Sequence, residues 1–314
     1  MVKCSFCNNS AVYISRISGK AYCKKHFLQY FDKKVRRTIR KYKMFNEKEH
    51  IIIAVSGGKD SLALLHYLNK LSKRVPSWRI TALLIDEGIS GYRDIAIQDF
   101  LRVVKQLDVD YVIASFKKEF GATLDEIVRI GMEKNLPYLP CSYCGVFRRY
   151  LLNKTAREIG GTALATAHNL DDIIQTYVMN ILRNDWDKIS RLGPVSGTSL
   201  HKKFVRRVKP FYEVLEKETT LYSILNNLYP KFTECPYARH SLRWQVREHI
   251  NSLEEKYPGT KYSLLRSLLT ILPILKPYYK GEIKTCKICG EPSAHEICRA
   301  CQYRIELGLM KDNE

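Results

Sequence analysis

Short apolar runs alternate along this chain with longer segments whose apolar residues recur every three or four positions. Ile51-Ile52-Ile53-Ala54-Val55 is the first run, and Leu62, Leu64, Leu65 and Leu68 mark the segment 61–73 behind it. Ile80-Thr81-Ala82-Leu83-Leu84-Ile85 is the second run. Residues 93–107 follow, with Ile95, Ile97, Phe100, Leu101, Val104 and Leu107. Asp110-Tyr111-Val112-Ile113-Ala114 and Thr162-Ala163-Leu164-Ala165-Thr166 are the third and fourth runs, with helical patterns over 145–159 and from Asp171 to about Leu182. Short apolar runs bounded by turns predict buried strands, and a period near 3.6 predicts amphipathic helices. Their alternation predicts an α/β fold with a doubly wound parallel sheet, whose ligands gather at the carboxyl ends of the strands.

The flanking regions differ. Phe27, Phe31, Val35, Ile39 and Tyr42 keep helical spacing, while Lys33, Lys34, Arg36, Arg37, Arg40 and Lys41 fill most positions between. This predicts a helix with a basic outer face, either solvated or laid along a phosphate backbone. Residues 213–280 show helical patterns rich in tyrosine, which Pro230, Pro258, Pro273 and Pro277 are expected to break into short pieces.

The formal charge of the 314 residues is +20, with +10 in residues 1–50, +3 in 51–199 and +7 in 200–314. Basic ends favour a polyanionic partner, and nucleic acid suits them better than a membrane surface. No apolar run approaches the ~20 residues of a membrane span. Nor does the start Met1-Val2-Lys3-Cys4 resemble a signal peptide, so a cytoplasmic location is expected.

Ser56-Gly57-Gly58-Lys59-Asp60-Ser61 lies between the first strand and its helix. A helix start offers unpaired N–H groups to a phosphate, and paired glycines let the backbone approach it. Lys59 adds a mobile cation and the serines add hydroxyls. The spacing is not that of a Walker A loop. Ala167-His168-Asn169-Leu170-Asp171-Asp172 closes the fourth strand. Its paired carboxylates can hold a cation, polarise a nucleophile or act as a base, and Asn169 or Asp171 can cap the helix.

Ten cysteines fall into three sets. Cys4-x-x-Cys7 with Cys23-x-x-His26, and Cys286-x-x-Cys289 with Cys298-x-x-Cys301, have the ligand count of closed structural zinc sites. Cys141-x-x-Cys144 and the distant Cys235 make three. Three thiols suit a cluster with one open iron or persulfide chemistry, against the alternative of a pair plus an ordinary core thiol.

Taken together, these motifs resemble the TtuA-type tRNA 2-thiolation enzymes of the PP-loop ATP pyrophosphatase superfamily, across nearly the whole chain. The matching pieces are the Cys-x-x-Cys…Cys-x-x-His start, the loop Ser56–Ser61, Pro140–Gly145 and His168–Asp172. Val205–Pro210, Glu234-Cys235-Pro236-Tyr237-Ala238-Arg239 and the terminal Cys4 knuckle match too. The resemblance implies adenylation of the 2-carbonyl oxygen of a tRNA uridine by ATP with Mg2+, and displacement of AMP by sulfur. It implies two structural Zn2+ and a [4Fe-4S] cluster on Cys141, Cys144 and Cys235. A ubiquitin-like thiocarboxylate carrier would donate the sulfur, and a homodimer is common in that family. By the same resemblance Ala54, Ser56, Gly57, Gly58, Lys59, Asp60, Ser61, Leu84, Ile85, Arg148 and Ala167 would bind the nucleotide. Asp172 would orient or activate the base, with Arg148 and the three cysteines at the reacting centre.

Two positions depart from the family pattern. Arg148 replaces its lysine; arginine can neutralise the α-phosphate but cannot act as a base. Ala167 replaces its glycine and narrows the approach to the nucleotide by a methyl group. The expected organisation is a Cys3His knuckle over 1–30, a basic linker helix over 31–48, a PP-loop domain over 49–212, a helical subdomain over 213–282 carrying Cys235, and a Cys4 knuckle over 283–314. A T-loop uridine is the expected target. The alternatives are a wobble uridine, a tRNA cytidine, or a non-catalytic zinc-bearing RNA-binding module, which the intact Lys59, Asp60, Ser61 and Asp172 disfavour.

Overall fold

Ile51, Ile52 and Ile53 are all fully buried, and their side chains go to two different cores. Such burial needs a strand at the centre of a sheet covered on both faces. The computed structural model describes residues 2–197, 202–228, 230, 235–238, 242–279 and 283–310; Glu234 and Arg239 of the motif around Cys235 lie outside them.

The described chain opens with a hairpin, β1 (Tyr13–Ile14) and β2 (Ala21–Tyr22), and helix α1 (Lys24–Lys41). Then come β3 (Glu49–Ala54), α2 (Lys59–Ser72), β4 (Trp78–Asp86), α3 (Arg93–Leu107), β5 (Asp110–Ser115), α4 (Phe116–Phe120) and α5 (Leu124–Glu133). Next are α6 (Pro140–Glu158), β6 (Ala163–Ala165), α7 (Leu170–Leu182), α8 (Trp186–Ser190), β7 (Val195–Ser196), β8 (Arg206–Val208) and α9 (Glu216–Leu225). A 3-10 turn at Pro236–Ala238 precedes α10 (Leu242–Lys256), α11 (Thr260–Tyr278), the hairpin β9 (Lys284–Thr285) and β10 (Pro292–Ser293), and α12 (Arg299–Leu307).

The six-stranded sheet runs β5-β4-β3-β6-β8-β7. All its pairs are parallel except β7–β8 at the edge. β3 has β4 on one side and β6 on the other, so the loop after β3 leaves the sheet where the winding reverses. One face packs on a core containing Phe31, Leu65, Phe100 and Phe211, the other on a core containing Phe116, Phe120 and Phe147.

The four expected strands are present, and α3 has the expected limits. Three features differ from expectation. First, α6 begins at Pro140, five residues early, because proline at the first helical position loses no hydrogen bond and already has a helical φ. Cys141 and Cys144 therefore occupy the first turn of a helix. Second, Pro273 and Pro277 lie inside one 19-residue helix, α11, held to the core by Leu265, Leu268 and Leu272. The break expected at Pro258 is present, between α10 and α11, with Gly259 at φ +102°. Third, β8, α4 and α5 had no clear pattern; in β8 two arginines conceal the apolar alternation.

Helix α1 buries Phe27, Phe31, Val35 and Ile39, as its spacing requires. Lys34 is not on the outer face. It is buried, with Nζ 2.6 Å from both Glu218 Oε2 and the Tyr262 hydroxyl. Burial holds its pKa below the usual lysine range, against the pull of Glu218. Tyr13 and Tyr30 donate to the other Glu218 oxygen at 2.9 and 2.7 Å. Breaking a buried pair leaves an uncompensated charge. Lys34→Ala is thus expected to lower unfolding free energy by about 3 kcal/mol in urea titration; a loss under about 1 kcal/mol would mean that the pair does not anchor α1.

Candidate active site

The loop Ser56–Ser61 stands at the carboxyl end of β3. Ser61 Oγ accepts the Ser56 N–H at 3.1 Å and donates to the Gly58 carbonyl at 2.8 Å, closing the turn on itself. Gly57 has φ +84°, and a Cβ there would lie 2.6 Å from the Ala96 carbonyl oxygen on α3. Gly58 is unlike it. A Cβ there meets only Ser56 Oγ, at 3.6 Å. Gly57 is needed by the fold, whereas space beside Gly58 is open to a ligand.

Lys59 Nζ lies 2.8 Å from Asp60 Oδ2 and 2.9 Å from Glu216 Oε1 at the start of α9. Burial would lower its pKa, but the two carboxylates outweigh burial and keep the ammonium charged. Thr219 of α9 donates to the other Asp60 oxygen.

Beside this loop, β6 ends at Ala165 and α7 starts with a capping box. Asn169 Oδ1 accepts the Asp172 N–H, and Asp172 Oδ2 accepts the Asn169 N–H, each at 3.1 Å. The tertiary contacts separate the paired carboxylates. Asp171 is buried, ion-paired to Lys261, and accepts the Glu216 N–H at 2.8 Å. Asp172 faces the cleft, with Arg243 Nη1 4.0 Å away. Desolvation there and the nearby Asp60 raise its carboxyl to about 6. His168 Nδ1 is 2.9 Å from the Thr166 hydroxyl. Ala54 and Ala167 are half-buried near strand ends, whereas the side chains of Leu84 and Ile85 are buried in the two cores.

The first turn of α6 brings Cys141 and Cys144 to the same side of the sheet. Cys141 Sγ is 3.7 Å from the Tyr237 carbonyl, and the Tyr237 hydroxyl donates to Asp125 Oδ1 at 2.7 Å. These contacts dock the segment of Cys235 on α5 and α6. Burial pushes the Cys144 thiol up to about 11, while Arg148 pulls it down and Cys141 and Cys235 add to the rise.

A chain of charged groups joins the cysteines to the glycine loop. Arg148 Nη2 is 3.1 Å from Cys144 Sγ and 2.6 Å from Glu87 Oε1. The other Glu87 oxygen pairs with Arg93, whose Nη1 donates to the Ser56 carbonyl at 2.8 Å. Glu87 and Arg93 are each 1% exposed. Neither belongs to a motif. Their only sequence signal is position, just after β4 and at the start of α3, and it needs the fold to be read.

At the N-terminus His26 Nδ1 lies 3.4, 3.5 and 3.3 Å from the sulfurs of Cys4, Cys7 and Cys23, and Cys7 and Cys23 are 3.7 Å apart. Cys289 and Cys298 are 3.6 Å apart at the other end. Tetrahedral zinc with Zn–S near 2.3 Å has edges of about 3.7 Å, so both sets fit one ion each. Among the described residues these are the only groups of three or more potential ligands whose ligand atoms all lie within 4.8 Å of one another. The three central cysteines are spaced more widely, which suits a polynuclear cluster better than one ion. Arg148 Nε is buried beside them with no hydrogen-bond partner.

Glu87→Gln removes a charge shared by two guanidinium groups and leaves Arg93 buried without its counter-ion. A destabilisation of about 3–5 kcal/mol is expected in denaturant unfolding; stability within about 0.5 kcal/mol of the parent would refute a structural role for the shared charge.

Comparison with known proteins agrees with this geometry. The PP-loop domain model matches residues 28–250. The tRNA-5-methyluridine(54) 2-sulfurtransferase of Pyrococcus horikoshii is 38% identical over 99% of this chain and 95% of its own. The tRNA 2-thiolation protein NcsA of Haloferax volcanii is 34% identical over 96% and 98%. The solved structure of the U34-tRNA thiolase NcsA from Methanococcus maripaludis, with its [4Fe-4S] cluster, superposes at a TM-score of 0.84 with 36% identity, covering 99% of this chain and 98% of that one. The chain belongs to the PP-loop ATP-binding family, in its branch of tRNA 2-sulfurtransferases and 2-thiolation proteins.

Proposed function

We propose that this protein is a tRNA uridine 2-sulfurtransferase. The observation that carries the reading is the chain Ser56–Arg93–Glu87–Arg148–Cys144, which ties a nucleotide loop and a cysteine centre to opposite ends of one ion-pair network. Replacing a carbonyl oxygen by sulfur needs both. The oxygen must first become a good leaving group, and a sulfur nucleophile must stand close by. The uracil 2-oxygen attacks the α-phosphorus of ATP and pyrophosphate leaves. Sulfur then attacks C2 and AMP leaves with the original oxygen.

Each residue has a role in this scheme. The backbone at Gly57 and Gly58 and the Ser61 turn receive the phosphates at the start of α2. Lys59 and Arg148 neutralise charge on the phosphates in the transition state. Asp172 orients and activates the base; Arg148, always protonated, takes no proton. Asp60 would hold Mg2+, which is commonly bound by one or two carboxylates together with substrate phosphates and supplies charge neutralisation of the pyrophosphate. Cys141, Cys144 and Cys235 would hold a [4Fe-4S] cluster, which supplies one iron free of protein thiolate to take up sulfur. The two end sites would each hold a structural zinc. Family resemblance supports a ubiquitin-like thiocarboxylate carrier as sulfur donor, a homodimer and a cytoplasmic location.

The T-loop uridine is the proposed target, in line with the Pyrococcus relative; the Methanococcus structure favours the wobble uridine as a second reading. With ATP, tRNA and sulfide, the protein is expected to release pyrophosphate and form 2-thiouridine, detected by nucleoside mass spectrometry. Digestion mapping assigns position 54 or 34. Gly58→Val, which meets no backbone, should keep its melting temperature and yield neither product. Thiolation by this variant at the parent rate would remove the loop from the reaction.

Metal analysis after anaerobic purification should return about two zinc and about four iron per chain. Cys235→Ala should lose the iron and thiolation while keeping zinc and ATP binding. An iron-free protein as active as the iron-loaded one would remove the cluster from sulfur delivery. A fully active Cys235→Ala would make that residue a core thiol.

A further inference from the structure

Most cations near the cleft have an acidic partner. Arg148 pairs with Glu87, Arg206 with Glu49 and Lys261 with Asp171. The basic face of α1 is also partly neutralised, Arg36 by Asp32, and Arg37 and Lys41 by Glu213. Four cations near the carboxyl edge of the sheet differ. Among the described residues, no carboxylate stands within ion-pair distance of Arg149, Arg207, Lys209 or Lys276.

These four come from three parts of the fold, α6, the end of β8 and α11, and meet side by side. Strand alternation turns Arg206 toward Glu49 and Arg207 to the opposite face, where its Nη2 donates to the Arg149 carbonyl at 3.0 Å. Lys209, just past β8, donates from Nζ to the Gly193 carbonyl at 2.6 Å. Lys276 of α11 reaches the same glycine, its Nζ 3.8 Å from where a Gly193 Cβ would stand. The row therefore runs from α6, beside Arg148, across the end of β8 to α11.

The row carries an electrostatic cost in the free protein. Burial and then Arg149 hold Arg207 down at about 10. Burial, then Arg207 and Lys276, hold Lys209 down at about 8. At His168, four residues before Asp172, desolvation and then Lys209, Arg243 and Arg207 disfavour the protonated ring, so the row borders the catalytic cleft. A bound anion relieves this repulsion, and several spaced cations suit a polyanion better than one small ion.

We propose that Arg149, Arg207, Lys209 and Lys276 form a phosphodiester track, along which the backbone of the substrate RNA loop lies while its target base enters the cleft. The track rests on the tRNA reading above. It places the main RNA contact at the cleft rather than on the basic face of α1. Phosphates of ATP are the other source of the same chemistry, and the measurements separate the two.

The test is fluorescence anisotropy with tRNA across about 50 to 200 mM KCl, beside ATP affinity, for Arg207→Gln/Lys209→Gln, for the charge-keeping Arg207→Lys/Lys209→Arg, and for Arg149→Gln at an exposed helix position. The first variant should bind tRNA about tenfold more weakly, and its salt slope should fall by about 1.4, since each single-strand phosphate contact contributes about 0.7. Arg149→Gln should lower the slope by about 0.7, the charge-keeping pair should restore binding, and ATP affinity should not change. Unchanged tRNA affinity and slope in both neutralised proteins would overturn the track. So would a loss confined to ATP, which would assign the row to nucleotide phosphates. Parent activity is scored separately. If the parent thiolates tRNA but the variants bind normally, the track alone fails. If the parent makes no 2-thiouridine yet loses RNA binding on neutralisation, the track stands and the activity fails.

Discussion

One carboxylate, Glu87, holds two guanidinium groups at once, and the active cleft depends on that sharing. Arg93 is among the largest fully buried side chains, and an unpaired buried cation is costly. With Glu87 beside it, Arg93 can fix the Ser56 carbonyl, and Arg148 can reach Cys144 from the other oxygen. A planar guanidinium offers several donors in fixed directions, so each arginine ties two partners at set angles. The phosphate loop and the cysteine helix are thereby held in one frame.

The two terminal knuckles reach the same frame by different routes. Tyr303 of α12 packs on Tyr143 of α6 with centroids 4.8 Å apart, and Arg157 of α6 pairs with Glu291. The C-terminal knuckle thus braces the helix whose first turn carries Cys141 and Cys144. At the other end, Tyr13, Tyr30 and Lys34 converge on Glu218 of α9, and Glu216 of the same helix pairs with Lys59. The N-terminal knuckle and α1 thereby brace the helix that positions the loop lysine. α1 thus packs into the core, and Lys34, Arg36, Arg37 and Lys41 of its charges have protein partners.

Three pairs of candidate ligands start helices: Cys23 and His26 at α1, Cys141 and Cys144 at α6, Cys298 and Cys301 at α12. Two intervening residues put both side chains in or against the first turn of a helix, where they can point at one site. The shared spacing does not make the sites alike. In the end sites the second pair is also close, whereas Cys235 reaches α6 from a distant segment at wider spacing.

Local physics made part of this protein legible in its sequence. Apolar period marked the strands around Ile51 and Leu83 and the helix over 93–107, because burial on both strand faces or along one helix stripe leaves a pattern in neighbouring residues. Gly57 and the Cys-x-x-Cys pairs were legible for the same reason, since a tight turn and two ligands on one ion are short-range demands. Pro140, by contrast, was compatible with a turn or a helix start, and packing of α6 decided. Lys34 looked like one more surface cation until Glu218, far along the chain, came to meet it. Family resemblance pointed to Asp172, but the pairing of Asp171 with Lys261, which separates the two carboxylates physically, exists only in the fold. Glu87 and Arg93 have no sequence signature, and the motif Val205–Pro210 does not tell that Arg206 meets Glu49 while Arg207 and Lys209 meet no carboxylate among the described residues. Charge pairing depends on distances set across the sheet, and those exist only once β4, β6 and β8 have been brought side by side.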